Sequence, residues 1–152
     1  MSDGADQYAV FGHPVGHSKS PQIHRAFAQS SGQHLHYRAI EAPLDGFGEA
    51  IASFRQAGGR GCNVTLPFKG EACQLAEQLD DYAAIAGAVN TLHWNESGTL
   101  RGFNTDGRGL LRDLQQNLNI ELTGRKILLV GAGGAAAGVV GPLLEALPEK
   151  LV

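Results

Sequence analysis

Cys62-Asn63-Val64-Thr65-Leu66-Pro67-Phe68-Lys69 is the stretch whose reading decides the fold. Gly58-Gly59 and Gly61 punctuate the chain just ahead of it, and residues 62–66 read as a short buried strand. Pro67 suits the first turn of a following helix, where a missing N–H costs little. A strand that passes into a helix this way delivers Asn63, Thr65 and Lys69 to the mouth of one turn. An amide, a hydroxyl and an ammonium gathered there suit a small polyhydroxylated ligand.

Upstream, residues 8–11 form a first strand, followed by the loop Gly12-His13-Pro14-Val15-Gly16-His17. Ser18-Lys19-Ser20-Pro21 opens a helix to about residue 30, with Ser20 at the N-cap, Pro21 at N1, and Ile23, Ala26 and Phe27 as its apolar stripe. Ser18 and Ser20 at a helix N-terminus offer hydroxyls and free N–H groups to a carboxylate or phosphate. Residues 36–40 read as a second strand, and Phe47, Ile51, Phe54 and Ala57 carry helical spacing up to Gly58-Gly59.

Downstream, a helix is predicted over 67–79, with Ala72, Leu75, Ala76 and Leu79 on one side. Strand and helix alternate three times, which argues for a mostly parallel sheet covered by helices. A short helix over 83–86 leads through Gly87-Ala88-Val89-Asn90-Thr91-Leu92 into another strand. Asn95-Glu96-Ser97-Gly98 supplies a hairpin turn, so 92–94 and 99–103 pair antiparallel. Gly102-Phe103-Asn104-Thr105-Asp106-Gly107 then presents Asp106 before a helix over 110–117, whose Leu110, Leu111, Leu114 and Leu118 are helically spaced.

Beyond residue 122 the pattern changes. Lys126-Ile127-Leu128-Leu129-Val130 is a continuous apolar run, as expected of a parallel strand buried on both faces. It flows into Gly131-Ala132-Gly133-Gly134-Ala135-Ala136, a G-x-G-x-x-A that follows a strand and opens a helix from about 135 to 147. That context marks a dinucleotide fingerprint.

The totals narrow the classes. A chain of 152 residues, 43% apolar and 18% charged, is ordinary for a globular protein. A net charge of −3 without a basic run argues against nucleic acid or an anionic membrane as main partner. Cys62 and Cys73 are the only cysteines and form no paired motif, so free thiols in a reducing compartment are expected. The first seven residues do not resemble a signal peptide, no run approaches a membrane span, and a cytoplasmic location follows. His13 and His17, or His34 and His36, lack a completing carboxylate or cysteine, so no metal is expected. Tyr37 and His24 either line the pocket or simply pack.

Taken together, Ser18-Lys19-Ser20-Pro21 with His24, the 63–69 stretch, Gly87-Ala88-Val89-Asn90-Thr91, Asn104-Thr105-Asp106-Gly107 and the 131–136 fingerprint resemble the shikimate dehydrogenase family over almost the whole chain. The resemblance implies reversible reduction of 3-dehydroshikimate to shikimate with NADPH. It implies Ser18 and Ser20 on the substrate carboxylate, and Asn63, Thr65, Asn90 and Asp106 on the ring hydroxyls. Lys69 and Asp106 would be the catalytic pair, and Gly131, Ala132, Gly133, Gly134 and Ala135 would hold NADP. The lysine ammonium would stabilise the alkoxide that hydride delivery creates and give it a proton.

The expected organisation is an α/β, mostly parallel substrate-binding catalytic domain over 1–105 with helices on both faces, a connecting helix and linker over 106–122, and the start of a Rossmann-type NADP domain over 123–152. Family members run on to complete that domain, so the sequence reads as a fragment of which full turnover is not expected. Two alternatives stay open: a quinate/shikimate dehydrogenase using NAD, and a shikimate-binding piece that transfers no hydride. The sequence leaves oligomeric state open, with a homodimer as one assembly.

Overall fold

The computed structural model describes residues 4–152. In chain order come β1 (Asp6–Gly12), α1 (Ser20–Ser31), β2 (Leu35–Glu41), α2 (Phe47–Gln56), β3 (Gly59–Val64), α3 (Lys69–Leu75), β4 (Gln78–Leu79) and α4 (Asp81–Ala86). There follow β5 (Thr91–Trp94), β6 (Leu100–Phe103), α5 (Asp106–Arg112) with a π turn at Asp113–Asn117, β7 (Lys126–Ile127), α6 (Gly134–Glu145) and β8 (Lys150–Leu151).

Six strands form one sheet in the order β2-β1-β3-β5-β6-β4. β1 runs parallel to β2 and β3, and β4 runs parallel to β6. β5 is antiparallel to both its neighbours, and the hairpin turn after it enforces the pairing with β6. The fold is thus the expected α/β type with a mostly parallel sheet. β7 and β8 pair parallel in a separate two-stranded sheet.

Alternation along the strands sends Ala9, Phe11, Cys62, Val64 and Leu92 to one face, where Phe47, Ile51 and Phe54 of α2 and Phe68 and Ala72 near α3 close over them. Phe11 meets Phe47 and Phe54 edge-on, with centroids 6.2 and 5.5 Å apart, and Phe47 stacks on Phe68 at 4.7 Å. Each such fully buried ring contributes about 1.5–3 kcal/mol. The core therefore sits directly beneath the turn that bears Lys69, and fixes it. α1 covers the opposite face, where His24 stacks on Tyr37 of β2 with centroids 4.1 Å apart and planes 5° from parallel.

Several boundaries differ from the sequence-based expectation. Pro67 lies in a turn bridged by Phe68 N–H to Thr65 O at 3.1 Å, and α3 begins two residues later, at Lys69. α3 also ends early, because Glu77 N–H and Asp80 N–H bond to Leu100 O and Gly102 O, drawing residues 78–79 onto the edge of β6 as a strand. Lys19, not Ser20, is the N-cap of α1, and Ser20 is its first helical residue. The stripe read into α1 is not buried: Ile23 is 47% and Phe27 61% exposed, and the helix seats itself through Ala28 and His24.

The run 126–130 is not a strand buried on both faces. Only Lys126 and Ile127 of this run count as strand, with β8 as their one partner among the described residues, and Leu128 and Val130 are 73% and 87% exposed. No helix among the described residues is long and apolar enough to cross a membrane.

Candidate active site

The C-terminal ends of β1 and β3, the start of β5 and the start of α5 meet at one edge of the sheet. Gly12 closes β1 there: a Cβ added to it would lie 2.5 Å from Thr65 Cγ2, so only glycine lets the two strand ends approach this closely. Thr65 N–H donates to Phe11 O at 2.9 Å, holding Thr65 beside the end of β1.

Lys69, the first residue of α3, extends across to Asp106, the first residue of α5. Its Nζ donates to Asp106 Oδ2 at 2.5 Å, and the side chains are 17% and 31% exposed. Asp106 Oδ1 accepts from Asn90 Nδ2 at 2.7 Å, and Asp106 N–H is received by Asn104 Oδ1 at 3.2 Å. Both carboxylate oxygens thus have a charged or amide donor, which holds the carboxylate in one orientation.

Asn90 is itself held by Thr105 N–H, which donates to its Oδ1 at 3.2 Å, and by the Thr91 hydroxyl at 2.9 Å. Asn63, from β3, donates through Nδ2 to Thr91 Oγ1 at 3.1 Å, and its Oδ1 accepts from the Tyr37 hydroxyl at 2.6 Å. Ser18 Oγ accepts from Ser20 N–H at 3.2 Å at the start of α1. The Ser20 side chain lies in hydrogen-bonding reach of Tyr37, which ties the start of α1 to Asn63. Burial moves two of these groups: the Tyr37 phenol is pushed well above its ordinary pKa and His24 below its own. Cys62, one residue before Asn63 on the core face, has its thiol pushed up to about 12 by burial.

Six of the sequence-predicted residues, Asn63, Thr65, Lys69, Asn90, Ser18 and Ser20, therefore converge with Asp106 around this edge. The fingerprint residues do not. Gly131, Ala132, Gly133, Gly134 and Ala135 are exposed, and none of their hydrogen bonds among the described residues reaches Lys69 or Asp106. Gly131 has φ +129°, a conformation that favours glycine, and Gly133 at the N-cap of α6 offers no side chain to its first N–H groups. An open turn with uncapped helix N–H groups fits a pyrophosphate.

The link between the two regions is close packing. A Cβ on Gly107 would lie 2.4 Å from Gly138 O, and one on Gly138 would lie 3.0 Å from the Asn104 amide. α6 thus bears on the residue that receives the Asp106 N–H. Three contributors were not picked out from the sequence as site residues. Asn104 is 1% exposed and also donates to Ala88 O at 2.9 Å. Thr91 was visible only as part of a motif, and Asp80 receives Asn104 N–H at 3.2 Å while capping α4. The polar run 104–106 was the available signal for Asn104; Asp80 carried none.

Residues 10–92 match the family model described as the shikimate dehydrogenase substrate binding domain. A shikimate dehydrogenase (NADP(+)) of Cupriavidus taiwanensis is 54% identical over 97% of this chain and 50% of its own length. Among solved structures, an Ael1 enzyme from Pseudomonas putida superposes with TM-score 0.92 at 47% identity, covering 97% of this chain and 54% of that one. Shikimate 5-dehydrogenase from Thermus thermophilus, in complex with NADP(H) and shikimate, gives TM-score 0.86 at 39% identity, over 96% of this chain and 55% of that one. The chain spans about half the length of the relatives it matches.

Proposed function

The chain belongs to the shikimate dehydrogenase substrate binding domain family, and from that premise we propose that it holds shikimate and 3-dehydroshikimate for their NADP-dependent interconversion. The observation that carries this reading is the Lys69 ammonium 2.5 Å from Asp106, inside a ring of oriented amides and hydroxyls. Ser18 and Ser20 receive the substrate carboxylate, and Asn63, Thr65, Asn90 and Asp106 receive the ring hydroxyls.

NADPH, when bound, supplies the hydride, and Gly131, Ala132, Gly133, Gly134 and Ala135 would hold its pyrophosphate. The chain's own residues do the proton chemistry. As the carbonyl carbon is reduced, its oxygen gains negative charge, and Lys69 stabilises that charge and delivers a proton to it. Asp106 accepts from Lys69 and from a substrate hydroxyl, so it fixes both partners in one geometry. In the reverse direction Lys69 takes up the proton that it otherwise delivers. Within this reading, residues 1–105 form the substrate domain, 106–122 the connection and 123–152 the cofactor side. A cytoplasmic location and a homodimer belong to the same proposal.

Calorimetric titration of the folded chain with shikimate tests it. Saturable binding is expected, weakened about tenfold or more by Asp106→Ala, because a charge-assisted hydrogen bond is lost. A folded chain that ignores shikimate sinks the reading, and quinate titrated next decides whether a related acid is the ligand.

A further inference from the structure

Asn63 and Asn90 carry amides whose two ends match in shape and differ in chemistry, so their value to a ligand depends on which end faces where. One backbone group decides this for both. Thr105 N–H can only donate, and it meets Asn90 Oδ1 at 3.2 Å; Nδ2 therefore lies on the side of Asp106 Oδ1, 2.7 Å away. The Thr91 hydroxyl, 2.9 Å from that same Oδ1, must spend its single proton there. Its oxygen is left as an acceptor, which Asn63 Nδ2 fills at 3.1 Å while also reaching Asn90 O at 3.4 Å. Asn63 Oδ1 then faces Tyr37, whose hydroxyl donates at 2.6 Å.

The result is a directed chain from Tyr37 through Asn63, Thr91 and Asn90 to Asp106, with every proton pointing toward the carboxylate that Lys69 holds from its other side. Tyr37 stands at the origin. Its ring is held flat against His24, and burial keeps its phenol protonated, hence a donor, at any ordinary pH. That proton holds the Oδ1 end of Asn63, while Thr91 Oγ1 and Asn90 O face its Nδ2 end. A flipped Asn63 would set its oxygen against Thr91 Oγ1, whose proton is already committed to Asn90.

We infer that Tyr37 is a positioning residue, which anchors the Asn63 amide in the orientation that Thr105 N–H sets through Asn90 and Thr91, so that Asn63 presents a single hydrogen-bonding face to the substrate. It rests on the functional reading above for the ligand of its test.

The experiment is a double-mutant cycle in shikimate titrations of the chain, using Tyr37→Phe, Asn63→Ala and the combination. Tyr37→Phe keeps the ring against His24 and removes only the donor. Its shikimate Kd is expected to rise about tenfold, whereas in the Asn63→Ala background the same change moves Kd by less than about twofold. Equal losses in both backgrounds mean that Tyr37 touches the ligand itself, and overturn the inference. So does an unchanged Kd, including one accompanied by a lower thermal midpoint. The Asn63 side-chain NH2 signals in nitrogen-15 spectra of the free chain give a readout that needs no ligand: Tyr37→Phe is expected to shift and broaden them, and unchanged signals overturn the inference. A wild-type chain that binds no shikimate defeats the functional reading, while those amide signals still decide the role of Tyr37.

Discussion

At the strand ends, Lys69, Asp106, Asn90, Thr91 and Asn63 have their polar atoms matched to one another, over a core that includes Phe11 and Phe68 at 0% exposure. At the turn before α6, residues 128 to 135 alternate between open glycine backbone and exposed aliphatic side chains, and β7 has one partner strand. The first region fixes its side chains before any ligand arrives. The second offers backbone N–H groups and surface, and what fixes it is the body of α6 behind it. A site that must place a proton needs the former; one that cradles a diphosphate through main-chain groups works with the latter.

The sharpest way to break this contrast is at the contact that joins the regions. Gly107→Ala places a methyl 2.4 Å from Gly138 O, against backbone that cannot swing aside. A loss of about 1–3 kcal/mol in urea unfolding is expected, as for overpacking in a filled core. An unchanged midpoint would mean that α6 is free to lift away from α5. A smaller effect sharpens the comparison from the other side: Leu128→Lys with Val130→Thr should change stability by no more than about 0.5 kcal/mol, as at other exposed positions, while lowering binding of a hydrophobic dye. A large destabilisation there would show this stretch to be packed rather than open.

The smallest effect is a pH dependence confined to the first region. His24 has its pKa lowered, chiefly by burial against Tyr37, so folding favours the neutral imidazole. Its contribution is complete above the ordinary value of 6.5 and is lost as pH falls through 6.5 toward the lower folded value. Thermal midpoints of the wild type should therefore drop more between pH 7.5 and 5 than those of His24→Phe, which keeps the stack without a titrating group. Parallel curves would remove His24 from the account.

Much of the site was legible because it is written in local spacing. Strand-to-turn transitions place Asn63, Thr65, Asn90 and Asp106 at strand ends whatever the exact helix starts, and the sheet then gathers those ends. The elements misread were those settled by partners. Leu79 has helical spacing, yet its backbone pairs with Gly102 and becomes strand. Phe27 and Ile23 read as an apolar stripe, but α1 meets the sheet through His24 and Ala28, so they remain at the surface. The Leu128 to Val130 run reads as buried only if strands flank it on both sides, and among the described residues it has one. Tyr37 was ambiguous for the same reason: nothing within β2 indicates that Asn63, 26 residues on, would stand opposite its hydroxyl.

The meeting of Gly107 with Gly138 has a mechanical side. Side chains at a helix crossing act as bearings, since rotamers can yield while the axes slide. Here the carbonyl of one helix touches the main chain of the other, and the Asn104 amide is wedged beside it. Such a joint transmits displacement without absorbing it. Whatever tilts α6 tilts the start of α5, and with it the backbone that carries Asp106; compliance is left to the glycine turn at 131–133, where nothing packs.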